Sequence, residues 1–243
     1  MKWLAAMCLV VIVACGGSER PSDEILVSAA ASLADAFAES EAAFEAANPD
    51  IDVLLNLGSS SSLREQILEG APVDVFASAN PSNMTQVIAA GATNQSTTFA
   101  LNLLQIAVPA GNPAGIAGLA DFASPELLIG LCAAGVPCGD FGRLALQAAG
   151  VVASIDSEEP DVRALLTKIE AGELDAGIVY VTDVLSSSAV DGIEIPEEFN
   201  VVAEYPIAVL TEAPNPGGAE AFVNFVLSEE GQAILQRYGF ESP

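Results

Sequence analysis

The residues able to do chemistry in this chain are hydroxyls rather than bases. Ala29-Ala30-Ala31-Ser32-Leu33 follows one short apolar run, and Leu57-Gly58-Ser59-Ser60-Ser61-Ser62-Leu63-Arg64-Glu65 follows another. Ser32 with Asp35, and Ser62 with Glu65, each fit a capping box, which predicts a helix entered from a strand with Ser32 or Ser62 as its N-cap. A helix N-terminus carries backbone N–H groups without intrahelical acceptors and the positive end of the helix dipole, so it attracts anions. Taken singly, either motif reads first as serines that cap helices and do nothing else. Nucleophilic serine chemistry finds no support. The chain has no histidine, Gly58–Ser62 does not fit G-x-S-x-G, and neither lysine follows a serine at S-x-x-K spacing. The absence of histidine also excludes histidine-based zinc sites, and no EF-hand spacing organises the carboxylates.

Composition narrows the partners. The 243 residues carry 33 acidic against 7 basic side chains, a formal charge of −26. Phosphate backbones are bound by exchanging counterions for Lys and Arg, so nucleic acid is excluded. An acidic surface of this kind is otherwise a solubility or salt adaptation. Half of the residues are hydrophobic, enough for a substantial core.

The first residues read as an address. Lys2 precedes an apolar run from Trp3 to Val13, which is too short to span a bilayer but suits a signal-peptide core. Ile12-Val13-Ala14-Cys15 is similar to a bacterial lipobox. The expectation is a signal peptide over 1–14, lipid on Cys15, and a flexible tether over 15–24 that holds the domain at the outer face of the cell membrane. An ordinary signal peptide containing a cysteine is the alternative. Cys132 and Cys138 remain besides the anchor. In an exported chain a near pair predicts a disulfide, stabilising by about 2 kcal/mol, against the alternative of a buried reduced pair.

The rest of the chain alternates short apolar strands with amphipathic helices. Strands are expected at 25–27, 51–57, 73–77, 103–108, 127–131, 176–180 and 205–210. Helices are expected at 33–47, 63–69, 82–90, 142–149, 161–171 and within 218–238. This is an α/β pattern with mostly parallel sheets. No long linker divides it, so two lobes would share crossing strands. Residues 25–104 and 206–243 would form lobe 1, and residues 105–205 lobe 2.

Several stretches together resemble the bacterial molybdate-binding proteins: AAASL at 29–33, GSSSSLREQILEGAPVDVFASA at 58–79, GVPCGDFGRLAL at 135–146, EPDVRALL at 159–166, DAGIVYVTD at 175–183 and SEEGQAILQRYGF at 228–240. The resemblance spans nearly all of the chain beyond the leader. It implies a two-lobed type II periplasmic-binding-protein fold with the ligand in a cleft between lobes. It also implies no enzymatic activity and no cofactor, molybdate or tungstate as ligand, and an ABC importer permease and ATPase as partners. Carried over residue by residue, it places the oxyanion against Ser32 and Ser60 on one lobe and against Cys138, Val162 and Tyr180 on the other. Cys138 stands where a small residue is usual, and the resemblance asks of it only a backbone N–H. The residues themselves agree in part. Pro160 suits the first turn of a helix, leaving the Val162 N–H free. Tyr180 ends an apolar strand, where clefts of open α/β sheets collect their residues, although a buried aromatic with a satisfied hydroxyl is the plainer reading. Asp140, close to the expected anion, is expected to cap its helix and point away.

Molybdate carries two charges and no proton near neutral pH, so a site built only of donors matches it. The competing readings are another oxyanion such as sulfate, a ferric-ion receptor, an exported enzyme using a carboxylate pair, and a sensory lipoprotein. A monomer is expected.

Overall fold

The computed structural model describes residues 23–243. The expected leader, the lipid site at Cys15 and nearly all of the tether lie outside the described residues. Runs of aliphatic and β-branched residues become strands, and the stretches between them, opened by Ser, Asn, Asp or Pro, become helices. In chain order these are β1 (Glu24–Ala30), α1 (Ala34–Ala47), β2 (Asp52–Gly58), α2 (Ser60–Leu68), β3 (Val75–Ala77), α3 (Pro81–Ala89), β4 (Thr97–Pro109) and β5 (Ile129–Cys132). Then follow α4 (Pro137–Ala148), β6 (Ser157–Glu159), α5 (Val162–Glu170), β7 (Ala176–Tyr180), α6 (Val181–Leu185), β8 (Val190–Glu194), β9 (Val202–Val209), α7 (Pro216–Leu227) and α8 (Glu229–Arg237). Gly150 and Gly172 close α4 and α5 at φ of +69° and +68°, a conformation that glycine adopts without strain. Among the described residues, no helix is long and apolar enough to cross a membrane.

The strands run in the order β2-β1-β3-β9-β4-β7-β5-β6, with β8 also on β4. Pairing is mixed rather than mostly parallel. β1 is parallel to β2 and β3, and β5 is parallel to β6 and β7. The β3–β9, β4–β9, β4–β7 and β4–β8 pairs are antiparallel. The reason is β4, which the apolar pattern marks only over 103–108 and which continues to 13 residues. Its first half, Thr97–Leu103, pairs with β9, and its second half, from Leu104, pairs with β7 and β8. One strand thus passes from one half of the sheet to the other.

Phe37 and Phe44 on α1 meet Phe222 on α7 edge to face, with ring centroids 5.9 and 5.3 Å apart. Burial of aromatic faces of this size contributes about 1.5–3 kcal/mol each. This cluster fixes α1 and α7 against the first half of the sheet. Leu131, Leu165, Ile169 and Ile178 perform the same service around β5 and β7.

Candidate functional site

Each parallel strand delivers a short segment to one place. β1 ends at Ala30 and leads to Ser32, and β2 ends at Gly58 and leads to Ser59 and Ser60. β5 leads through a four-residue loop, 133–136, to the first turn of α4 and Cys138, β6 leads to Asp161 and Val162, and β7 ends on Tyr180. These segments line one cavity of about 20 Å³, formed by Ala30, Ala31, Ser32, Gly58, Ser59, Ser60, Ala79, Val136, Pro137, Cys138, Asp161, Val162 and Tyr180. Carboxyl ends of parallel strands are where open α/β sheets place their ligands. A space this small favours a compact ligand over a sugar or nucleotide. All five residues singled out from the sequence, Ser32, Ser60, Cys138, Val162 and Tyr180, lie on its wall.

The chemistry of the wall is that of donors. Ser60 and Val162 are the first residues of α2 and α5, and Cys138 is the second residue of α4. Their N–H groups therefore have no intrahelical acceptor, and three helix N-termini converge on the cavity. Ser60 Oγ accepts the Ala79 N–H at 2.9 Å, which leaves its hydrogen to donate elsewhere. Ser32 Oγ lies 2.9 Å from the Tyr205 hydroxyl. The Tyr180 ring is buried and its hydroxyl has no partner within the protein. Burial, then the negative fields of Tyr205 and Asp183, push the Tyr180 phenol well above the ordinary tyrosine range, so it stays a neutral donor. No Lys or Arg lines the cavity.

The one acidic lining residue is Asp161. It is the N-cap of α5, and its carboxylate accepts the Arg163 and Ala164 N–H groups, each at 2.9 Å. Its charge is thereby committed to the helix end. Asp140 does not cap α4, as was expected of it; it lies within the first turns of that helix and accepts the N–H of Gly135, in the preceding loop, at 2.8 Å. Cys132 and Cys138 form a disulfide six residues apart, closing the loop that presents the Cys138 N–H. Arg143 clamps the same loop by donating to the Cys132 and Gly139 carbonyls at 2.8 and 3.0 Å.

Three local expectations need correction. Ser32 is not an N-cap. It sits in a short 3-10 turn, Ala31–Leu33, ahead of α1, and no side chain caps either element. Ser62 is not an N-cap either. α2 starts at Ser60, earlier than the apolar pattern suggests, and Ser59 caps it by accepting the Ser62 N–H. Pro160 precedes the N-cap rather than occupying the first turn. The cap of α2 is the neighbouring Ser59 hydroxyl and the cap of α5 is the Asp161 carboxylate. Ser59 and Asp161 are of residue types that favour the N-cap, which is the signal the apolar pattern passed over. Tyr205, 173 residues from Ser32, had no local signal at all.

A second group of charges ties the two halves of the sheet together. Arg163 on α5 pairs with Asp35 on α1 and stands 3.3 Å from Asp183 Oδ1. Asp183 is fully buried, and its other oxygen accepts the Tyr180 N–H at 3.1 Å.

A donor-lined cavity at the strand ends of a mixed α/β sheet is the arrangement of a solute-binding receptor. The chain belongs to the bacterial extracellular solute-binding protein family, whose model matches residues 25–241. It is 38% identical, over 261 aligned residues covering the whole of both chains, to the molybdate-binding protein ModA of Mycobacterium tuberculosis. Its fold is similar to that of the Azotobacter vinelandii periplasmic molybdate-binding protein, with a TM-score of 0.78 at 19% identity over 90% of this chain and 99% of that one. The sulfate-binding protein SubI of Mycobacterium tuberculosis superposes with a TM-score of 0.80 at 18% identity, over 90% of this chain and 86% of that one.

Proposed function

We propose that this chain captures molybdate, and tungstate with it, and hands the ion to the permease and ATPase of an ABC importer. The observation that carries the reading is the small cavity walled by hydroxyls and helix N-terminal N–H groups, with every nearby carboxylate turned away. A fully deprotonated tetrahedral dianion accepts hydrogen bonds and donates none, which is the complement of that wall. In this reading Ser32 and Ser60 offer hydroxyl and N–H, Cys138 and Val162 offer N–H, and Tyr180 offers its phenol. Neutral donors hold the ion, so a protein of charge −26 needs no cation in the site. The 38% identity to a named molybdate-binding protein supports molybdate within the oxyanion class.

The handover of β4 near Leu104 supports two lobes, 25–104 with 206–243 and 105–205, closing about β4 and β9. The Cys132–Cys138 disulfide would pre-orient the Cys138 donor and lower the ordering cost of binding. Lipid on Cys15 would tether a monomer to the outer face of the membrane, within reach of the permease.

Calorimetric titration of the soluble domain with molybdate, tungstate, sulfate and phosphate tests the reading. Saturable molybdate and tungstate binding is expected, lost in Ser32→Ala with Ser60→Ala while the fold persists. No saturable molybdate binding sinks it, and sulfate bound more tightly than molybdate transfers the assignment to sulfate, a dianion served by the same donors.

A further inference from the structure

Ser32 has a single hydroxyl hydrogen and two places to send it. One is the cavity, and the other is the Tyr205 oxygen 2.9 Å away. Tyr205 is on β9, fully buried, and is not part of the cavity wall. Its ring is locked edge-on between Phe99, Tyr180 and Phe240, with centroids at 6.4, 6.0 and 5.4 Å, so its hydroxyl cannot swing elsewhere.

Asn102 also acts on the phenol oxygen. Asn102 on β4 accepts the Leu103 N–H through Oδ1 at 2.9 Å and donates through Nδ2 to Thr182 Oγ1 at 2.8 Å. These two bonds fix which end of the carboxamide is which, and its donating side acts on the Tyr205 oxygen. A phenol that receives from one side is left to donate on the other, toward Ser32 Oγ. Burial pushes Tyr205 far above the ordinary tyrosine range, so the donor is never lost to ionisation.

We propose that Tyr205 is a positioning residue whose hydroxyl donates to Ser32 Oγ, commits the Ser32 hydrogen to the cavity, and so sets the preference for oxyanions without a proton over those that carry one. The proposal rests on the oxyanion reading of the cavity. An anion such as hydrogen phosphate must place one hydrogen on an acceptor. With Tyr205 in place one of the two lone pairs of the Ser32 oxygen is taken, so Ser32 meets such an ion chiefly as a donor. Without the phenol, both lone pairs of the Ser32 oxygen are open to that hydrogen, and the hydroxyl loses its fixed direction.

The test is titration of the intact soluble protein and of Tyr205→Phe with molybdate and with inorganic phosphate at pH 8, where phosphate retains one proton. Loss of one oriented hydrogen bond is expected to weaken molybdate about tenfold and to narrow the ratio of phosphate to molybdate Kd by at least that factor. In a Ser32→Ala background the same change is expected to alter the ratio no further, because Tyr205 acts through Ser32. Wild-type protein that binds no oxyanion defeats the oxyanion reading and this inference together. Wild-type protein that binds molybdate, beside a Tyr205→Phe variant with unchanged affinity and ratio, overturns the inference alone. So does a Tyr205→Phe effect that persists undiminished in Ser32→Ala. If Tyr205→Phe does not fold, the wild-type chain labelled with 13Cζ-tyrosine carries the test. Its three tyrosines are assigned by Tyr180→Phe and Tyr238→Phe. In the molybdate complex the Tyr205 resonance should lie at the position of a donating phenol, and the position of a phenol that only accepts overturns the inference.

Discussion

Replacing Arg163 with Met removes the cation between Asp35 and Asp183 while keeping a long side chain on α5, and the consequence is a change in how stability depends on pH. Asp183 is fully buried. Burial raises its pKa from 3.8 to about 7, opposed first by Arg163 and then by the Tyr180 N–H, with Asp35 and Asp161 adding to the rise. The sign follows from linkage. Above about pH 4 the unfolded chain has released this proton while the folded chain keeps it, so the Asp183 contribution falls as pH rises. In the wild type the fall ends near pH 7, after a total of about 4 kcal/mol at 1.36 kcal/mol per pKa unit. Without Arg163 the strongest opposing influence is gone, the folded-state pKa moves above 7, and the fall continues. The stability gap between wild type and Arg163→Met should therefore widen above pH 7, at up to about 1.4 kcal/mol per pH unit until the variant's own folded-state pKa is passed. Urea unfolding of the ligand-free protein at pH 6, 7, 8 and 9, followed by far-ultraviolet circular dichroism, measures it. Asp35→Asn, at a half-exposed partner, serves as the control and should cost under about 1 kcal/mol. A wild-type to Arg163→Met gap that stays constant from pH 7 to 9 would refute the reasoning, because it would mean that Arg163 does not govern the Asp183 proton.

Three further outcomes are expected. Ser60→Ala removes a cavity donor and leaves the buried Ala79 N–H without its 2.9 Å acceptor, so oxyanion affinity should fall at least tenfold and stability by about 1–3 kcal/mol, read by calorimetry and chemical unfolding. Cys132→Ser with Cys138→Ser opens the loop closed between two cysteines six positions apart; about 2 kcal/mol of chain entropy corresponds to a Tm lower by roughly 4–8 °C, visible by scanning calorimetry, and binding should weaken in parallel. Gly139→Ala would drive a Cβ to 2.1 Å from the Ala133 oxygen and 2.4 Å from the Cys132 oxygen. These are backbone atoms that cannot turn aside, so the loop presenting Cys138 must move, and titration should find oxyanion binding lost even where circular dichroism finds the fold retained.

The elements nearest the site show how far sequence reading reaches. The strand at 176–180 ended on Tyr180 as expected, because five apolar residues buried on both faces have no other use. The serine-rich turn after β2 was legible as a helix start, yet its cap fell on Ser59 and its first residue on Ser60, because which of four adjacent hydroxyls turns inward is settled by Ala79 arriving from β3. α4 began at Pro137, five residues before the apolar pattern at Gly142, because the disulfide loop and the clamp by Arg143 support a helical turn that has little amphipathic signal of its own. β6 and β8 are short and polar and left no pattern to read.

What the sequence determined by itself is local: alternation of strand and helix, absence of histidine and hence of the commonest base, a donor-rich pair of serine turns, and a cysteine pair close enough to join. These follow from side-chain type and spacing along a few residues. Only the tertiary structure decided that Ser32, Ser60, Cys138, Val162 and Tyr180 share one wall, that Asp140 is spent on the loop N–H of Gly135 and Asp161 on the end of α5, and that Tyr205 stands behind Ser32. The physical reason is that donor direction in this site is set by contacts between residues as many as 173 positions apart, through a strand that belongs to both halves of the sheet, and no periodicity along the chain records such a contact.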